Sequence, residues 1–114
     1  MQKKRNIIDV TMNAVDGIKE LILQKAARRE LLLVLIAIVF FCYRPNVYTV
    51  LIAVLSLVLL AVEALNTAIE KICDLISPEE HPEIKKIKDL GAAAVMIILV
   101  AIGLIFIRYL SPYF

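Results

Sequence analysis

Three carboxylates and an amide stand on one face of an otherwise apolar helical segment: Glu63, Asn66, Glu70 and Asp74, within the run Val62–Asp74. At about 100° per residue these four fall within roughly 80° of arc. At about 1.5 Å of rise per residue they climb roughly 16 Å. The flanking faces carry Ala, Leu, Ile and Val, so the polar ladder has no solvated neighbours on its own helix and needs partners from elsewhere. A desolvated carboxylate suits the work of a general base towards a hydroxyl. One nearer water is a hard oxygen ligand for Mg²⁺, an ion that usually takes one or two protein carboxylates and shares the rest of its shell with phosphates and water. Glu63, the deepest, fits the first task, with Asn66 orienting either it or a substrate hydroxyl. Glu70 and Asp74 fit the second. Structural alternatives stand beside these readings: Glu63 and Asn66 as hydrogen-bonded packing elements, and Glu70 in an ion pair with Lys71 or with a neighbouring helix.

The elements that must hold this ladder are membrane helices. The chain has 114 residues, 61% of them hydrophobic, and a mean hydropathy of +0.85, well above the usage of soluble domains. Length allows one domain, residues 1–114, which reads as an all-α membrane protein. Residues 1–29 place Ile7, Ile8, Val10, Ala14, Val15, Ile18, Leu21 and Ile22 at helical spacing between charged residues, the pattern of an amphipathic helix lying in the membrane interface. Gly17 interrupts it and marks either a bend or a close approach. Span one covers 30–43, short enough that Arg28 and Arg29 must snorkel, and Arg44-Pro45-Asn46 then breaks the chain in a tight hairpin. Span two covers 47–76, the ladder continuing the same helix beyond the hydrocarbon core. Ser77-Pro78 stops it. A charged connection, Glu79 to Asp89, leads to span three at 90–110, which opens with Gly91, Ala92, Ala93 and Ala94, small residues that permit close packing. Tyr109, Tyr113 and Phe114 form an interfacial anchor.

Orientation follows from charge. Lys3, Lys4, Arg5, Lys19, Lys25, Arg28 and Arg29 precede span one, and Lys71, Lys85, Lys86 and Lys88 lie between the cytoplasmic end of span two and span three; the other two connections hold only Arg44 and Arg108. This bias puts the N-terminus in the cytoplasm and the C-terminus outside. No cleaved leader is expected, because the first long apolar run begins at Leu31 behind a polar stretch. Cys42 and Cys73 belong at opposite membrane faces and are read as small buried hydrophobes rather than a disulfide.

The net charge of +2 and the absence of Trp give no footprint for nucleic acid. His81 is the only histidine, so a zinc site is not expected, and no glycine-rich phosphate loop or soluble kinase signature is present. Lys85, Lys86 and Lys88 offer charge for phosphates, although a basic loop at an anionic leaflet is common in itself.

Taken together, Glu63-Ala-Leu-Asn66-Thr-Ala-Ile-Glu70, Asp74, Ser77-Pro78-Glu79-Glu80-His81-Pro82 and Lys88-Asp89-Leu-Gly-Ala-Ala-Ala-Val resemble the signature of the small bacterial integral-membrane diacylglycerol kinases, a family that includes the undecaprenol kinases. The likeness is close over residues 63–95. It implies a homotrimer of three-span subunits in the bacterial cytoplasmic membrane, phosphorylating a lipid hydroxyl with MgATP at sites shared between subunits. Carried over by position, Glu63 matches the general base and Asn66 lies beside the reacting lipid. Glu70 matches a Mg²⁺ ligand, and Asp74, Glu79, Glu80, His81, Lys88, Asp89 and Arg5 match the nucleotide side. The N-terminal third departs from the pattern. Gln24 occupies the position of a second acidic metal ligand, with Glu20 one turn back as a substitute, and the aromatic residues of the family's surface helix are missing. Two other readings are kept: a non-catalytic trimeric channel or scaffold, and a degenerate kinase with the family fold.

Overall fold

A computed structural model describes residues 6–77, 79 and 81–112. Its elements are four helices: α1 (Ile7–Ile22), α2 (Lys25–Tyr43), α3 (Val47–Ile76) and α4 (Pro82–Leu110). Arg5, Pro78, Glu80, Tyr113 and Phe114 lie outside the described residues.

α3 is the central element, packed against α2 on one side and α4 on the other. Its bounds coincide with the expected second span. Asn46 caps it, its Oδ1 accepting from the backbone N–H groups of Tyr48 and Thr49 at 2.9 and 3.0 Å, while Thr49 Oγ1 accepts from the Asn46 N–H at 3.0 Å. The same Thr49 hydroxyl donates to the Arg44 carbonyl at 2.7 Å. The hairpin thus supplies the partners that the first helical turn lacks. Replacing Asn46 with Ala is expected to cost about 1 kcal/mol, read as a lower thermal midpoint in detergent.

At the same end an aromatic cluster ties three helices together. Tyr109 of α4 meets Phe40 of α2 edge-on with centroids 5.5 Å apart and lies 6.3 Å from Tyr48 of α3. The Arg108 guanidinium sits over the Tyr48 ring at 5.2 Å. Deeper in, Ala37, Ile52 and Ala53 form the apolar contact between α2 and α3, with Phe41, Ile102 and Ile105 packed against it. Within a single chain the buried set is small, and on α3 it includes the polar side chains of Thr49, Ser56, Glu63 and Asn66. Cys42 is exposed and Cys73 buried.

Several boundaries differ from those expected. The surface helix ends at Ile22, not near 29, and the break falls at Leu23 and Gln24 rather than at Gly17, through which α1 runs unbroken. No residue of α1 is buried. It is joined to α3 by an exposed ion pair from Lys71 Nζ to Glu20 Oε2 at 3.5 Å, a contact worth about 1 kcal/mol at most. The charged stretch after Ser77 is not a loop throughout. α4 begins at Pro82, whose missing N–H costs nothing in a first helical turn, and His81 Nδ1 caps it by accepting from the Glu83 N–H at 3.1 Å. Of the three expected crossings, α3 and α4 are long and apolar enough by length and composition, at 30 and 29 residues. α2 has 19 residues, but Arg28, Arg29 and Glu30 stand in its first two turns and leave only Leu31–Tyr43 continuously apolar.

Candidate active site

Where α2 begins, it faces the C-terminal half of α3 across a cleft of about 470 Å³. The walls are Gln24, Lys25, Ala26 and Arg29 from the start of α2, Glu63, Asn66, Thr67 and Glu70 from α3, and Ala92 and Val95 from α4. Glu63 and Asn66 are each 7% exposed. Their burial follows from helix geometry, since residues three apart share a face and that face lies between α2 and α4.

Asn66 has the most informative environment. Its Nδ2 donates to Glu70 Oε1 at 3.3 Å, which fixes the carboxamide orientation, because a carboxylate only accepts. Its Oδ1 is buried without a hydrogen-bond partner among the described residues. An unpaired buried acceptor costs about 1–3 kcal/mol, and this one is closed in against α4. Close approach by α4 shapes the same spot. Gly91 is buried against Asn66, and a Cβ there would run into the Asn66 carboxamide. The electrostatic surroundings of Glu63 are mixed, with Glu30 and Glu70 contributing negative charge and Arg29 positive charge.

The ladder therefore splits. Glu63, Asn66 and Glu70 share the cleft with Gln24, whereas Asp74 lies outside it, its Oδ1 accepting from Lys88 Nζ at 2.8 Å. That pair pins the start of α4 to the end of α3. Asp89 is likewise engaged, by Lys85 Nζ at 2.8 Å, and Lys86 Nζ reaches Glu83 Oε1 at 3.3 Å. Glu79, His81, Lys88 and Asp89 do not line the cleft. Glu20 is not among the residues lining this cleft; it pairs with Lys71 and borders a different, apolar cleft between α1 and α3 with Ala14, Gly17 and Ala64. Among the described residues no three acidic, His or Cys side chains converge as a ready metal cage. Lys25 and Arg29 were not anticipated at the site. Their i, i+4 spacing puts them on one helix face, but that signal has meaning only once the helix is known to start at Lys25.

The prokaryotic diacylglycerol kinase family matches residues 12–110 of the chain. A diacylglycerol kinase from a Sinorhizobium species is 37% identical over 101 residues, covering 87% of this chain and 74% of that protein. The chain belongs to the prokaryotic diacylglycerol kinase family. Diacylglycerol kinases from Haemophilus influenzae and Pseudomonas aeruginosa are 30% and 35% identical over 103 and 101 residues, covering 88% and 86% of this chain and 87% and 82% of theirs. With α3 and α4 built as they are, the chain is an all-helical membrane protein of a lipid kinase family. The matched region contains every residue lining the cleft.

Proposed function

We propose that the protein transfers the γ-phosphate of ATP to the hydroxyl of a membrane lipid, either diacylglycerol or undecaprenol. In this reading it works in the bacterial inner membrane as a homotrimer of three-span subunits, with a cytoplasmic N-terminus and an external C-terminus. The observation that carries it is the cleft holding a buried carboxylate, an orphaned amide oxygen and a more exposed carboxylate within two helical turns of α3.

In the proposed reaction Glu63 accepts the proton of the lipid hydroxyl as that oxygen bonds to the γ-phosphorus. The bond from phosphorus to the bridging oxygen breaks, ADP leaves with the electron pair, and Glu63 later releases its proton to water. Asn66 lies beside the incoming lipid group, and Glu70 holds its carboxamide in place by accepting from Nδ2. Such transfers depend chiefly on positioning and charge neutralisation. Glu70 and Gln24 suit Mg²⁺: Glu70 would supply the carboxylate and the Gln24 amide oxygen a neutral hard donor, the rest of the shell coming from phosphates and water. Bound there, the ion would neutralise charge on the phosphate oxygens.

The test is a phosphorylation assay of the purified protein in detergent, with ATP and a panel containing both lipids. Transfer to one or both is expected, and background rates on the whole panel would overturn the reading. Glu70→Gln is expected to raise the Mg²⁺ concentration needed for half-maximal rate by about tenfold, the consequence of replacing a charged ligand with a neutral one. An unchanged requirement would remove Glu70 from the ligand set. A thermal shift with MgATP separates this reading cheaply from a channel or scaffold, which predicts none.

A further inference from the structure

Glu30 is an ionisable residue that the reaction described above does not use. On α2 the residues buried against α3 are Ala27, Val34 and Ala37, and Glu30 falls between the first two, three residues after Ala27 and four before Val34. It therefore belongs to the face that packs on α3. It is partly buried there, whereas its neighbours Arg28 and Arg29 are exposed. Helix register sets its level. Ala37 meets Ile52 and Ala53, so seven residues towards the start of α2 and seven towards the end of α3, Glu30 comes opposite Leu59 and Leu60. Glu63 lies one turn beyond, about 5 Å along the axis. The side chains close that gap, because each Cα–Cβ bond leans towards the start of its own helix and the two helices run in opposite directions. Glu30 leans towards the level of Glu63, and Glu63 towards that of Glu30. The electrostatics agree with this placement. Of the charged groups around Glu63, Glu30 acts most strongly, ahead of Glu70 and Arg29. The other charged wall residue from α2 is Lys25, and α4 adds only the uncharged Ala92 and Val95. Glu30 makes no hydrogen bond or ion pair among the described residues. An ionisable group on a packed face at membrane depth is costly, and its partner is the clue to what it does.

We propose that Glu30 is a positioning residue for the base: its carboxyl keeps a proton and donates it in a hydrogen bond to one oxygen of the Glu63 carboxylate, leaving the other for the lipid hydroxyl. This rests on the kinase reading and adds a residue to it. Two carboxylates that converge in an apolar contact between helices do not both ionise, and the buried residues around these are Ala27, Val34 and Leu59. Glu63 opens on the cleft that holds Lys25 and Arg29, whereas Glu30 does not line it. The charge therefore belongs on Glu63 and the proton on Glu30. A hydrogen bond from a neutral carboxyl to a carboxylate is short and strong, and it fixes a side chain that no other hydrogen bond among the described residues holds. During transfer Glu63 takes the lipid proton while Glu30 keeps its own. The pair is then neutral until Glu63 releases the new proton to water through the cleft.

The test compares Glu30→Gln with Glu30→Leu in full-length protein in an ester-free detergent. Glutamine keeps the shape and, in its amide N–H, a neutral donor; leucine keeps the bulk and has none. Glu30→Leu is expected to lower kcat for lipid phosphorylation by about ten- to a hundredfold, with the KM values for lipid and ATP and the binding of a fluorescent ATP analogue unchanged. Its thermal midpoint should equal that of wild type or exceed it, because an apolar side chain replaces a polar one on a packed face. Glu30→Gln should restore most of the rate. In a Glu63→Gln background Glu30→Leu should cost nothing further. The infrared spectrum of the resting protein at neutral pH should show the carbonyl stretch of a protonated carboxyl, lost in Glu30→Gln. Full activity in a folded Glu30→Leu variant overturns the proposal. So does Glu30→Gln no more active than Glu30→Leu, which would make Glu30 an anion in the reaction, and so does a spectrum without the protonated band. Wild type that shows the band but phosphorylates no lipid overturns the kinase reading, and the role of Glu30 with it, while leaving the shared proton established.

Discussion

Glu63→Gln is expected to lower lipid phosphorylation by about 10²–10⁴-fold, the usual worth of a positioned general base, while nucleotide binding persists. Glutamine has nearly the same shape and keeps an acceptor oxygen, so the cleft retains its form. It cannot take the hydroxyl proton. The side chain is 7% exposed and no hydrogen bond among the described residues holds it, which makes a structural explanation of the loss easy to exclude. A neutral amide at a buried position is no harder to accommodate than a carboxylate, so the thermal midpoint should be unchanged or higher. Phosphate transfer, binding of the ATP analogue and thermal unfolding, measured on the same preparation, check the three parts. Equal transfer rates for wild type and variant would remove Glu63 from the reaction.

The second large effect is expected at Gly91→Ala. Within a helix this exchange normally stabilises by up to about 1 kcal/mol, but here the added methyl would meet the Asn66 carboxamide, with Cγ only 3.1 Å away. Asn66 cannot turn aside freely, because its Nδ2 is committed to Glu70 at 3.3 Å and its surroundings are closed. Either that hydrogen bond breaks or α4 moves off α3, and overpacking of this kind costs about 1–3 kcal/mol. Activity should fall more than stability, by about tenfold or more, because a small displacement of a positioning group is costly in a transfer that depends on alignment. Gly103→Ala serves as the contrast. Nothing lies within 4 Å of the position its Cβ would take, so that variant should be as active as wild type and slightly more stable. Full activity in Gly91→Ala would show that the contact between Asn66 and α4 does not matter.

How much of this was legible beforehand depended on whether a local signal existed. α3 was, because Pro45-Asn46 and Ser77 bracket an unbroken apolar run, and its ends fall where expected. The grouping of Glu63, Asn66 and Glu70 followed from helical spacing alone. Asp74 shares that spacing, but helical phase does not record that Lys88 lies across from it. The early start of α4 was written in the His81-Pro82 pair, a capping residue followed by proline at the first helical position, and was obscured by the charges that surround it. The break between α1 and α2 was not legible. Leu23 and Gln24 carry no breaker chemistry, and α1, none of whose residues is buried, gives way there to α2, which packs against α3. Since the break sets where α2 starts, the presence of Lys25 and Arg29 in the cleft was hidden with it, whereas Gln24 comes to the site through the family resemblance alone.

The buried residues of α3 have a register with a further consequence. Thr49, Ser56 and Glu63 follow one another at intervals of seven, and so do Ile52, Leu59, Asn66 and Cys73, the two series interleaved by steps of three and four. That is the heptad seam of helices wound gently around one another to the left, and the proposed base and its amide neighbour occupy seam positions within it. Packing and chemistry are therefore indexed by the same repeat. One residue inserted between Leu59 and Glu63 would swing the carboxylate about 100° away from the cleft; an insertion of about seven or eleven residues, close to two or three whole turns, would lengthen this helix and still return Glu63 to within about 20° of its place.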